Sequence, residues 1–382
     1  MARRIIIVSD QLPPKRGGLA DHTHRLATEL SNTHPVTVLT SAGAGSSERF
    51  QVRPSIGDWR DLDWIMAELS EFANDSVLLW QYVPHMYGRG GANLRLPRLW
   101  RDLHTSGNRQ VFIAHEIMAD LDWRPARLWF ALQHRRQWKA LLASADALAI
   151  STGKWVEDWS RWRPDLAPRI SLMPSPTSIE PHPVGPDHRR TWRLARGLDP
   201  AVRILAYFGT LGPNKQFYWI LDAWRAARAA GIPVALAVIG GAPDPNLPPE
   251  LKALYRPLGY LPAPEVSAAL QASDLIALPF IDGVSERRTT LMAGLAHGVA
   301  VATTVGHCTG SALARAPYLG LSPARDEHGF IQLVSALLKD DERRRSLAEA
   351  GRNASVREFS WPVIVRRLLP LLEPGRTTVT PG

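Results

Sequence analysis

Through the first half of the chain, short apolar runs alternate with stretches of helical spacing. RRIIIVSD, PVTVLTS, SVLLWQYV, RQVFIAHE and ALAIST are of strand length and rich in β-branched residues. Between them, HTHRLATELSN, LRLPRLWRDLHTS and a Trp- and Arg-rich stretch from Pro125 to Ala143 read as helices. From Met173 to Asp199 the pattern breaks, because MPSPTSIEPHPVGPD carries more prolines than a helix or central strand tolerates. A second series then begins with the strands VRILAYFGT, PVALAVIGG, LIALPF and VAVATT. Its helices are QFYWILDAWRAARAA, EVSAALQASD and TTLMAGLAH. Two helices joined at EFSWPV close the chain. Strands alternating with helices imply parallel sheets with ligand sites at their carboxyl ends. The expected architecture is α/β, with two Rossmann-like domains facing each other across a cleft. The expected boundaries are an N-terminal domain at 1–180, a hinge at 181–200 and a second domain at 201–355. The segment 356–382 is expected to pack back on the first domain.

Composition narrows the class without changing this picture. A chain of 382 residues, 45% hydrophobic and 21% charged, suits two soluble domains. No apolar run approaches bilayer length, and the one after MARR is too short for a secretion signal. The single Cys308 excludes an internal disulfide framework and a multi-cysteine metal site, and a reducing cytoplasm fits. The formal charge of +9 comes from arginines spread along the chain. With no nucleic-acid motif present, a solvated basic surface is expected and no nucleic-acid partner.

Three turns could hold an anion. Lys15-Arg16-Gly17-Gly18 follows the first strand and opens a helix, where paired glycines let a ligand approach N–H groups closely. It is not GxGxxG, which disfavours a dinucleotide dehydrogenase. Gly209-Thr210-Leu211-Gly212-Pro213-Asn214-Lys215 ends the second domain's first strand, and its lysine is a mobile charge suited to phosphate. Ser285-Glu286-Arg287-Arg288-Thr289-Thr290 precedes a helix that Gly298 should terminate, and no acid occurs from Arg287 through Arg325. N–H groups at Arg287, Arg288 and Thr289 beside two guanidiniums would form an anion cradle. An acid there would repel a diphosphate.

Other candidates lie in the first half. His115 and Glu116 sit just past a strand's carboxyl end, and Tyr82, His85 and Tyr87 end another strand and could line an acceptor side. In the helix after Pro125, Leu128, Ala131, Leu132, Trp138 and Leu142 form an apolar stripe. Arg127, His134, Arg135, Arg136 and Lys139 make a positive face. A helix covering the sheet is one reading of that pattern, and docking on an anionic membrane is the other.

Taken together, these segments resemble the retaining GT-B glycosyltransferases of family 4. GGLADHTHRLATEL resembles the family's glycine pair and helix, and YFGTLGPNK its strand and G-R-L-x-x-x-K turn. LGYLPAPEVSAALQASDLIALPF, GLAHGVAVATT and EFSWPVIVRRLLPLL resemble its later motifs in the same order, covering residues 5 to about 375. The resemblance implies a nucleotide-diphosphate sugar as co-substrate and retention of configuration with the donor phosphate taking the acceptor proton. No cluster of acids near these motifs resembles a divalent-metal site, so catalysis is expected to need no metal and no other cofactor. It places His115 against the donor sugar and an acceptor hydroxyl on the N-terminal side.

The sequence departs from the family pattern at two places. Thr210 stands where the family has arginine, although Lys215 is retained. The family's E-x7-E pair falls on Ser285 and Ala293. Arg287 or Arg288 is therefore expected to supply the lost guanidinium. His115, Lys215, Arg287 and Arg288 are the catalytic candidates. Gly17, Gly18, Gly209, Thr210, Lys215 and the 285–290 segment are the diphosphate candidates. A GT-B scaffold without turnover and a nucleotide-sugar epimerase stay open as alternatives.

Overall fold

A computed structural model describes residues 3–15, 17–72, 76–118, 123–212, 214–240 and 255–373. Arg16 and Pro213 of the two turns, and Gly241 ending the VALAVIGG run, lie outside the described residues. Contacts divide the chain into two compact units, Met1–Pro174 with Trp361–Gly382, and Ser175–Ser360.

The first unit is built on a parallel sheet, seven-stranded among the described residues. Its strands are β1 (Arg4–Val8), β2 (Val36–Ser41), β3 (Gln51–Ile56), β4 (Ser76–Tyr82), β5 (Arg109–Ala114), β6 (Ala147–Ile150) and β7 (Ile170–Leu172). They lie in the order β3-β2-β1-β4-β5-β6-β7. The helices are α1 (Gly18–Leu30), α2 (Leu62–Ser70), α3 (Leu96–Thr105), α4 (Pro125–Ser144) and α5 (Gly153–Trp162), with a closing helix at Trp361–Leu372. Strand alternation sends Leu78, Trp80, Tyr82 and Phe112 to one face, against Trp100 of α3 and Trp138 of α4. Val77, Leu79, Val111 and Ile113 face the other way, against Leu26 of α1 and Trp361 and Ile364 of the closing helix. Trp80 stacks on Phe112 with centroids 5.8 Å apart. Such a pair adds about 0.5–1.5 kcal/mol beyond its buried area.

The expected apolar stripe of α4 is corrected at two positions. Leu132 is half exposed, and His134 is buried, its Nε2 2.9 Å from the Gly90 carbonyl oxygen. The helix instead turns Trp129, Leu132, Arg136, Lys139 and Ala143 outward, at intervals of three and four residues.

The second unit carries a parallel sheet of β8 (Arg203–Phe208), β9 (Val234–Ile239), β10 (Tyr255–Gly259), β11 (Leu275–Leu278), β12 (Ala300–Val305) and β13 (Gly320–Pro323). Their order is β10-β9-β8-β11-β12-β13. Around it pack α6 (His188–Leu194), α7 (Phe217–Ala229), α8 (Ala263–Ala272), α9 (Thr289–Ala296), α10 (Glu327–Lys339) and α11 (Asp341–Ala354). The segment expected to be a hinge is different here, because residues 188–194 form α6 within this unit. Its Trp192 is buried, and Arg193 and Arg189 both reach the Asp274 carboxylate at 2.6 Å. Prolines stop only at Pro186, so the residues after it are free to coil into a helix.

Both sheets reverse their strand order once, between β1 and β4 and between β8 and β11. In doubly wound sheets the loops leaving the carboxyl ends of such a strand pair part to opposite faces and leave a crevice.

Candidate functional site

In the second unit the two loops at the reversal are the ones the sequence singled out. The loop after β8 carries Gly209, Thr210 and Lys215, and the loop after β11 carries residues 279–288. Backbone bonds hold them together, Gln216 N–H to the Pro279 oxygen at 3.0 Å and Ile281 N–H to the Asn214 oxygen at 3.1 Å. Gly209 has φ +127°, and a methyl group added there would lie 2.8 Å from Lys215 Nζ and 3.1 Å from Thr290 Cγ2. Glycine is thus required both for the backbone angle and for the approach of the ammonium and the α9 N-terminus.

Lys215 Nζ donates to the Thr210 carbonyl at 2.7 Å, and the Tyr207 hydroxyl donates to the same oxygen at 2.7 Å. Burial, and then the Arg288 charge, brings the Lys215 ammonium down to about 8. Two positive groups are therefore held close together in a partly desolvated loop pair, a charge arrangement that a bound anion would relieve.

The arginines are not as the sequence suggested. Arg288 Nη2 lies 2.5 Å from both oxygens of Asp282, and Arg287 Nη2 lies 3.5 Å from the same carboxylate. Asp282, six residues before Arg288, thus supplies the acid that the stretch from 287 onward lacks. The Arg288 guanidinium also lies 4.4 Å from the Phe280 ring centroid. Burial opposes its charge, and Asp282 offsets that cost.

The expected N–H cradle also moves by one or two residues. The Arg288 N–H is spent on the Ser285 oxygen, and α9 starts at Thr289, so the first-turn donors belong to Thr289, Thr290 and Leu291. No side chain among the described residues caps this terminus. The helix ends as expected at Gly298, φ +61°, with Val299 N–H bonding Gly294 and Gly298 N–H bonding Leu295. Ser285 and Glu286 are both buried. The Ser285 hydroxyl has no hydrogen-bond partner among the described residues, and the Glu286 carbonyl accepts the Ser175 N–H. Ala293, where the family's second glutamate aligns, is buried in the core.

In the first unit, Gly17 (φ +151°) leads into α1, and nothing would meet a methyl group on Gly18. An acid, Asp21, occupies the first turn, its carboxyl raised by burial. Nearby, Asp10 is also raised by burial, and its buried Oδ1 has no hydrogen-bond partner among the described residues. Tyr82 is corrected as an acceptor-side residue, because its strand position turns it fully into the aromatic core, stacked on Tyr87 at 6.3 Å. Tyr87 is equally buried. His85 is exposed, on the wall of a cleft of about 540 Å³ that Lys15, Ser41, Trp59 and Arg60 also line. Glu116 is half buried.

His115 stands at the carboxyl end of β5, and its Nε2 lies 2.5 Å from Gln81 Oε1. Burial lowers its imidazolium to about 4, so the ring is neutral at neutral pH. Gln81 Nε2 lies 3.5 Å from Nδ1 of His22. The His22 ring meets His115 edge to face at 4.7 Å and Trp361 at 5.1 Å. Sequence reasoning passed over Gln81 and His22. The available signal was one amide in the apolar run SVLLWQYV and one histidine on the inner face of the first helix.

Residues 202–340 match the family model described as glycosyl transferases group 1. No curated protein matches the sequence. Among solved structures, WaaG, a glycosyltransferase involved in lipopolysaccharide biosynthesis, superposes with TM-score 0.67 at 16% identity, over 97% of this chain and 100% of that one. HepE of Anabaena in complex with UDP-glucose gives 0.69 at 14%, over 96% and 98%. Sucrose-phosphate synthase of Thermosynechococcus elongatus gives 0.70 at 15%, over 96% and 97%. The two Rossmann-like parallel-sheet domains are those of the GT-B fold.

Proposed function

We propose that this chain transfers a sugar from a nucleotide-diphosphate donor to an acceptor hydroxyl, with retention and without a metal, a reading supported by the glycosyl transferases group 1 match over residues 202–340. The observation that carries this is the convergence of Lys215, Arg288 and the uncapped α9 terminus around Gly209 at the strand-order reversal. The bond from the anomeric carbon to the donor phosphate oxygen breaks as the acceptor oxygen bonds to that carbon. The acceptor proton passes to the departing phosphate oxygen. Charge grows on the diphosphate during this step, and fixed cations and amide dipoles stabilise it most where reorganisation has been completed beforehand. Asp282 balances the arginines in the free protein, and an incoming diphosphate competes with it for Arg288. HepE is a structural neighbour that holds UDP-glucose, which favours uridine diphosphate sugars as the first donors to try.

A thermal-shift panel of nucleotide sugars, followed by assay of sugar transfer in EDTA, tests the proposal. Expected are stabilisation by one donor class and nucleoside diphosphate release dependent on an acceptor. Stabilisation without release would favour a binding scaffold, and an isomerised sugar an epimerase. Loss of transfer in EDTA would overturn the metal-free step.

We also propose peripheral contact with an anionic membrane through the outer face of α4. No described helix is long and apolar enough to cross a membrane. Trp123 is 93% exposed, and Trp129 and Leu132 are about half exposed beside Arg136 and Lys139. None of the twenty residues of α4 is acidic. Exposed indoles beside cations suit a lipid headgroup layer.

A further inference from the structure

The strand β4 runs Val77, Leu79 and Gln81 along the face that packs on α1 and the closing helix. Gln81 is the polar member of that row, and it is fully buried. A buried amide has two donor hydrogens and a carbonyl to satisfy. The two histidines take one of each, although they stand 59 and 34 residues away in sequence. His22 comes from α1 and His115 from the loop after β5, so three separate elements meet in one hydrogen-bonded group.

We propose that Gln81, backed by His22, is a positioning residue that fixes His115 in one tautomer and leaves its Nδ1 as a bare acceptor for a ligand hydroxyl. This rests on the glycosyltransferase reading. The amide oxygen can only accept, so His115 Nε2 carries the hydrogen of the 2.5 Å bond. A neutral imidazole has one N–H, which leaves Nδ1 as a bare acceptor. Nδ1 has no partner among the described residues. The amide nitrogen in turn donates to His22 Nδ1, which places the His22 hydrogen on Nε2. A Gln81 side chain turned over would reverse both tautomers together, so one amide couples the two rings. The edge contact of His22 with His115 and its contact with Trp361 restrict rotation of the group. A ligand hydroxyl would then donate to His115 Nδ1, a contact that the other tautomer cannot accept.

Long-range ¹⁵N–¹H correlation NMR of the full chain with labelled histidine, with His115→Phe and His22→Phe samples for assignment, reads the tautomers directly. The expected wild-type spectrum shows His115 with Nδ1 unprotonated and Nε2 protonated. A reversed or averaged pattern overturns the proposal, and this holds whether or not any variant folds. Gln81→Met should release His115 into a tautomer mixture, whereas Gln81→Glu, which still accepts from Nε2–H, should keep that hydrogen in place. An unchanged His115 pattern in folded Gln81→Met would equally overturn it. In kinetics, Gln81→Met should weaken use of the sugar donor about ten-fold while nucleoside diphosphate affinity stays unchanged. Equal loss for both would make Gln81 a structural residue. If no nucleotide sugar binds the wild type at all, the function falls while the tautomer result still stands or fails alone.

Discussion

Lys215 is the group whose protonation should respond to a bound diphosphate, and pH is the perturbation that exposes it. Burial and Arg288 hold its ammonium at about 8, against an ordinary 10.5. About a tenth of the lysines are then neutral near pH 7, about half near pH 8 and about three quarters near pH 8.5. A diphosphate against Nζ favours the charged form and draws in the missing proton. A sugar-esterified diphosphate has no proton of its own to exchange in this range. Uptake per site should therefore be ~0.1, ~0.5 and ~0.75 protons at those three pH values. Isothermal titration in two buffers of different ionisation enthalpy measures it, and Lys215→Met should abolish it. The same shift fixes the sign for the unliganded protein. Its folded pKa is depressed, so between about 8 and 10.5 the unfolded chain binds more protons and the Lys215 contribution to stability rises with pH. Uptake that is flat with pH, or that survives in Lys215→Met, would refute the reasoning.

Three further outcomes follow from the geometry. Replacing Arg287 and Arg288 together by alanine removes at least the charge-assisted bond of Arg288, about 1.5–3 kcal/mol, so nucleotide affinity should fall at least about ten-fold by titration. Arg25→Ala, which breaks a helix-surface pair with Glu29, should leave it unchanged. Gly209→Ala forces a methyl group to 2.8 Å from Lys215 Nζ at φ +127° and should lower Tm, by a destabilisation of about 1–3 kcal/mol, and weaken nucleotide binding together. Reversing Arg136 and Lys139 to glutamate should cut sedimentation with phosphatidylserine vesicles by at least ten-fold, at about 1 kcal/mol per charge near the surface. Equal sedimentation with neutral vesicles would contradict an electrostatic contact.

The alternation of apolar runs made the two parallel sheets legible, because strands buried on both faces read as continuous β-branched stretches. Edge strands were less visible. QVRPSI carries an arginine and a proline that an edge position tolerates, and Ile170–Leu172 is three residues long. The loops after β8 and β11 stood out because glycine, lysine and arginine at βα turns have few other uses. What the sequence concealed was pairing. Asp282 reaches Arg288 because the loop turns between them, at a spacing that neither helix nor strand periodicity reveals. Gln81 meets His22 only because the sheet brings β4 beneath α1, and Tyr82 faces the core because strand alternation places it opposite Gln81.

The central claim, that cations at the second unit's strand reversal hold a donor diphosphate, is tested most directly by a crystal structure with a bound nucleotide diphosphate. The expected result has phosphate oxygens within hydrogen-bond distance of Lys215 Nζ, the Arg288 guanidinium and the N–H groups of residues 289–291, with Asp282 displaced from Arg288. A nucleotide seated elsewhere, or one whose phosphates touch none of these while Asp282 keeps its arginine, would contradict it.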